Sequence, residues 1–79
     1  MEEKILEKII EKGSKIWLVD ASTLNADTEF ASMNPKSTHY SQITTYLEDE
    51  FDVEVPFMEF KRQKTLGDAA KYVTELLDE

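Results

Sequence analysis

Apolar side chains fall on this chain in four stretches, separated by two longer polar connections. The first stretch carries Met1, Ile5, Leu6, Ile9 and Ile10, spaced as one stripe of a helix. Glu2 and Glu3 suit the positive amino end of that helix. Two endings fit it. The helix stops at Gly13-Ser14, or Ile16 and Trp17 carry the stripe on past a glycine that weakens it by about 1 kcal/mol relative to alanine. Ile16-Trp17-Leu18-Val19 alone would also suit a strand. No second strand signal offers a partner, so the segment is read as helix running into loop.

Residues 20–36 are polar, with Leu24, Phe30 and Met33 scattered among them. A connection of this length in a small domain is usually functional or holds a short helical turn. The three apolar residues are expected to pin it to the core. The second helix is the clearest: Tyr40, Ile43, Leu47 and Phe51 lie three, four and four residues apart. Pro35 precedes it and Ser37 is the expected N-cap. Glu48, Asp49 and Glu50 crowd its carboxyl end, where the helix dipole disfavours acids. With no evident stability reason, that placement raises the question of a partner. Pro56 closes the next stretch, and Phe57, Met58 and Phe60 predict one short helical turn. Thr65 with Asp68 approximates a capping box. Leu66, Ala69, Ala70, Val73, Leu76 and Leu77 form the last stripe. The pattern predicts an all-α fold: a small four-helix bundle with a short third helix and a long loop between helices 1 and 2. Residues 1–79 are read as a single domain.

Composition narrows the function classes. Apolar residues make up 41 % of the chain and the net charge is −8, with 17 acidic and 9 basic residues. Such a surface repels phosphate backbones, which argues against nucleic-acid binding, and steers basic partners toward the protein. There is no cysteine, so disulfides, thiolate metal sites and a cysteine nucleophile are excluded. A cysteine-free chain suits a reducing cytosol, and a cytoplasmic location is expected. Met1-Glu2-Glu3-Lys4 opens without the apolar run of a signal peptide, and the run Ile16 to Val19 is far too short to span a membrane. Nothing in the sequence demands more than a monomer.

Catalytic chemistry is sparse. His39 is the only histidine. Ser37, two residues away, falls on a different side of a helix, so the two are poorly placed as a nucleophile–base pair. Gly13 and Gly67 are the only glycines, which rules out a glycine-rich phosphate loop. The acid runs lack the spacing and turn glycine of an EF-hand. Enzymatic activity and a metal site are not expected.

The run Leu47-Glu-Asp-Glu-Phe-Asp-Val-Glu-Val-Pro56 resembles the acyl carrier protein family: a leucine, acids, Phe-Asp, alternating acid and aliphatic, then proline. Counting back from this run, the modified serine of the family falls on Ser37. Val19, Leu24 and Phe30 keep the family's apolar anchors, and Thr65-Leu66 through Tyr72-Val73 is similar to its last helix. The resemblance spans about residues 3 to 77. It implies a carrier with a covalent 4′-phosphopantetheine group on Ser37, placed there by a phosphopantetheinyl transferase. That group would hold an acyl or aminoacyl cargo as a thioester for loading and transfer enzymes. The family's Asp-Ser-Leu motif reads Lys36-Ser37-Thr38 here, which points to a specialised carrier with its own partners. Glu48 and Asp49 match the family's acidic docking pair, and Lys36 and Thr38 are the altered docking positions. The alternative is that Ser37 only caps its helix, in a carrier-like interaction module that is never modified.

Several side chains have a plainer role. Phe57, Met58 and Phe60 are read as core filling the gap between helices 2 and 3, which would leave the cargo short, polar or solvent-exposed. Lys61, Arg62 and Lys64 are read as neutralising nearby acids. Trp17 is expected in the core, Tyr72 in the core with its hydroxyl outward, and His39 as an exposed polar residue.

Overall fold

The structure, a computed structural model, describes residues 1–78. Four helices make up its frame: α1 Glu2–Ile16, α2 Ser37–Phe51, α3 Phe57–Lys61 and α4 Leu66–Leu77. No strand forms among the described residues, and the all-α bundle with a short third helix is what the sequence predicts. Helix α1 packs against α4 and α2, and α3 packs against α2. Contacts of Lys8 with Glu50, Lys12 with Tyr46 and Trp17 with His39 show that α1 and α2 run antiparallel.

The buried interior follows the predicted stripes: Ile5 and Ile9 from α1; Tyr40, Ile43 and Leu47 from α2; Phe60 from α3; Leu66, Ala69, Ala70 and Val73 from α4. Leu6, Ile10, Phe51, Tyr72, Leu76 and Leu77 pack against it partly buried. Met1 departs from its stripe and is exposed. It precedes the first helical turn, so no neighbouring turn holds it inward.

Helix α1 continues through Gly13 to Ile16, which settles its two possible endings. Gly13 is there for space: a Cβ on it would stand 2.9 Å from the Trp17 ring. The helix closes with Trp17 N–H on the Gly13 carbonyl and Val19 N–H on the Ser14 carbonyl at 3.1 Å. That is a Schellman closure, and it forces Leu18 into the left-handed region at φ 55°. A leucine there is strained by roughly 1–2 kcal/mol, and its side chain is 90 % exposed.

The long connection is ordered by two 3₁₀ turns, Ala21–Thr23 and Phe30–Met33. Asp20 opens the first: its carboxylate accepts from the Ser22 N–H and hydroxyl, both at 2.9 Å, which holds its pKa below the ordinary value. Leu24 and Phe30 are buried and Met33 partly so, which anchors the loop as expected. Further on, the loop is stitched to the start of α4. Phe30 N–H donates to the Lys64 carbonyl, Leu66 N–H to Thr28 and Gly67 N–H to Ala26, all within 3.0 Å. A Cβ on Gly67 would meet the Ala26 carbonyl oxygen at 2.8 Å, so this approach requires glycine.

Candidate functional site

The site is the amino end of α2. Asn34 takes the left-handed conformation that closes the second 3₁₀ turn, and Lys36 is extended at φ −109°, ψ 163°. Lys36, not Ser37, is the N-cap, and Ser37 is the first helical residue. The sequence expectation is corrected by one position because a neighbour supplies the cap contact. His39, three residues into the helix, accepts the Lys36 N–H on its Nδ1 at 3.0 Å. This is the reciprocal half of a capping box with an imidazole in place of the usual acid.

The same Nδ1 accepts from Trp17 Nε1, also at 3.0 Å. With two donors aimed at it, Nδ1 carries the lone pair and the ring proton sits on Nε2. His39 is therefore not the exposed polar residue expected from sequence. It is half-buried and ties the end of α1 to the start of α2. Trp17 is half-buried as well, edge-on to His39 and to Phe30. No spacing signal marks this pair, since the partners are 22 residues apart.

Ser37 and Thr38 are exposed at this helix end. Their backbone N–H groups meet no acceptor among the described residues. The Ser37 hydroxyl accepts a hydrogen bond from Lys61 Nζ at 3.2 Å. No hydrogen bond links Ser37 to His39, whose acceptor nitrogen is taken up by Lys36 and Trp17. The pair forms no nucleophile–base arrangement. Among the described residues no cluster of His, Cys, Asp or Glu could hold a metal ion.

Beneath Ser37 the gap between α2 and α3 is filled by rings. Phe30 lies 5.3 Å from Tyr40 and 6.0 Å from Phe60, and Tyr40 lies 6.4 Å from Phe60, centre to centre. Burial raises the pKa of Tyr40 above the ordinary tyrosine value. Phe60 is core as predicted and Phe57 partly so, but Met58 is 61 % exposed on the outer side of the short helix. Arg62 pairs with Glu59 at 3.3 Å, as the reading of the basic cluster anticipates. Lys61 turns to Ser37 instead.

The acids at the other end of α2 have roles inside the protein that the sequence did not reveal. Glu48 is half-buried and accepts the Val55 N–H at 2.8 Å. Glu50 pairs with Lys8 at 3.5 Å, and its charge is the main cause of the raised Lys8 pKa. Tyr46 beside them is shifted upward, first by burial and then by its hydrogen bond to Glu50. Asp49 is exposed on an open cleft of about 340 Å³ between α1 and α2, with Lys12, Gln42 and Tyr46. Glu48 and Asp49 stand roughly 17 Å from Ser37 along the helix axis, so the structure brings Lys36, Ser37, Thr38 and Lys61 together and leaves the acidic pair apart.

No family model matches the chain. A curated relative does: an acyl carrier protein of Lactobacillus acidophilus, 33 % identical over 73 residues, which cover 91 % of each chain.

Proposed function

The chain belongs to the acyl carrier protein family, and from that premise we propose that Ser37 bears a covalent 4′-phosphopantetheine group used to carry an acyl or aminoacyl cargo in a specialised biosynthetic pathway. Proteins of this family are carriers and not catalysts, and the chain is not an enzyme. The observation that carries the proposal is an exposed hydroxyl at an amino helix end whose first N–H groups lack acceptors. Free N–H groups and the positive end of a helix dipole favour an anion. The donors present therefore fit a phosphodiester.

Attachment would need a phosphopantetheinyl transferase and coenzyme A. Ser37 Oγ forms a bond to the phosphorus bearing the pantetheine, and the pyrophosphate bond to the adenosine 3′,5′-bisphosphate leaving group breaks. The serine proton passes to a base of the transferase, because this chain sets no base against Ser37. When bound, the group supplies a thiol that holds the cargo as a thioester. The chain's own residues then do three things. The loop ahead of α2 leaves Ser37 accessible, Lys36 and Thr38 flank it as docking contacts, and Glu48 and Asp49 mark a second contact zone further along. The ring-filled gap below Ser37 supports a short, polar or solvent-exposed cargo.

The test is a mass measurement. Incubation with coenzyme A and a broad-specificity transferase should add the mass of one group to the wild type and none to Ser37→Ala. No gain across several transferases would refute the proposal and leave an unmodified helical interaction module.

A further inference from the structure

Lys61 approaches Ser37 from a different helix. Its Nζ donates to Ser37 Oγ at 3.2 Å across 24 residues of sequence. The ammonium also lies 6.0 Å from the centre of the Phe57 ring, one turn back on α3, so the stem runs along an aromatic face. No carboxylate pairs with Lys61 among the described residues, and the nearby Glu59 is paired with Arg62. Lys36, exposed, caps the same helix end. The Lys61 ammonium and the positive end of a helix dipole thus meet at an uncharged hydroxyl, with the exposed Lys36 next to it in the chain. In the unmodified protein the Lys61 ammonium meets no opposite charge there among the described residues, and the helix dipole beside it is positive. An anion on Ser37 would turn the same arrangement into a favourable one.

We infer that Lys61 is a positioning residue for the phosphodiester, pairing with the charge esterified to Ser37 Oγ and holding the start of the attached group on the α3 side of the serine. This rests on the reading of Ser37 given above. The sequence groups Lys61 with Arg62 and Lys64 as a neutraliser of nearby acids. The structure separates it from them, because its hydrogen bond goes to a neutral oxygen at the one position where modification would create charge.

The test compares wild type and Lys61→Gln, each with and without the group, with modification verified by mass. In denaturant titrations at low salt, modification should raise the folding equilibrium constant of the wild type about two- to fivefold, the range of an exposed ion pair. The gain should shrink in Lys61→Gln and fade at high salt. The ³¹P resonance of the modified protein should also move between the two. Equal gains and an unmoved resonance would overturn the inference while leaving Ser37 modified. If the wild type gains no mass, the reading of Ser37 fails, and Lys61 is tested without it. Ser37→Glu sets an anion beside Nζ with no transferase involved. Lys61→Gln should then lower stability more in the Ser37→Glu protein than in Ser37→Ala, and equal losses in the two would sink the pairing.

Discussion

Helices α2 and α4 begin in opposite ways. At α4 each early N–H has a partner. Leu66 donates to Thr28, Gly67 to Ala26, Asp68 to the Thr65 hydroxyl at 3.0 Å, and Ala69 to the Thr65 carbonyl. At α2 the Lys36 N–H goes to His39 and the His39 and Tyr40 N–H groups go to the Lys36 carbonyl, but the N–H groups of Ser37 and Thr38 meet no acceptor among the described residues. The same chain therefore builds one closed helix start and one open one. The closed start contributes stability. The open start gives some up, and it coincides with the serine proposed above as the attachment point. Its position is secured by the ring cluster and by His39, which takes both the cap N–H of Lys36 and the indole N–H of Trp17.

Four substitutions would sharpen or break this contrast. Phe60→Ala should have the largest effect on stability, about 3–5 kcal/mol, because it empties the centre of the cluster under Tyr40. A cost below about 1 kcal/mol in urea unfolding would mean the rings do not hold the open end. Gly67→Ala should come next, at about 1–2 kcal/mol net, since the added methyl meets the Ala26 backbone and helix propensity returns only part of the loss. Thermal unfolding that rises with this change would show the closed end to be loosely packed. Thr65→Ala should cost about 1 kcal/mol for the lost cap, with unchanged uptake of the prosthetic group. Ser37→Ala should stand last on this scale, within about 0.5 kcal/mol, while abolishing uptake altogether. A large loss of stability in Ser37→Ala would make the serine a structural residue and remove the contrast.

Much of this was legible beforehand. The stripes at Ile5/Ile9, Tyr40/Ile43/Leu47 and Leu66/Ala69/Ala70/Val73 place the three long helices, because burying one face imposes a helical period on the sequence. Thr65 was legible as a cap because that bond is local. What escaped was long-range. The indole of Trp17 folds back over Gly13 to reach the His39 imidazole, 22 residues away in sequence, and no pattern of spacing marks that contact. Glu48 and Glu50 looked misplaced against the helix dipole until Val55 and Lys8 were seen beside them. Lys61 read as one base among three because nothing in the order of residues says which would reach across to α2.

The chain holds a single tryptophan, and its indole N–H is bonded to the imidazole two residues beyond Ser37. The protein thus has a built-in optical probe at the end proposed to carry the prosthetic group. If Ser37 is modified as proposed, intrinsic fluorescence would report attachment of the group in real time with no label, since the rest of the chain contributes no competing indole.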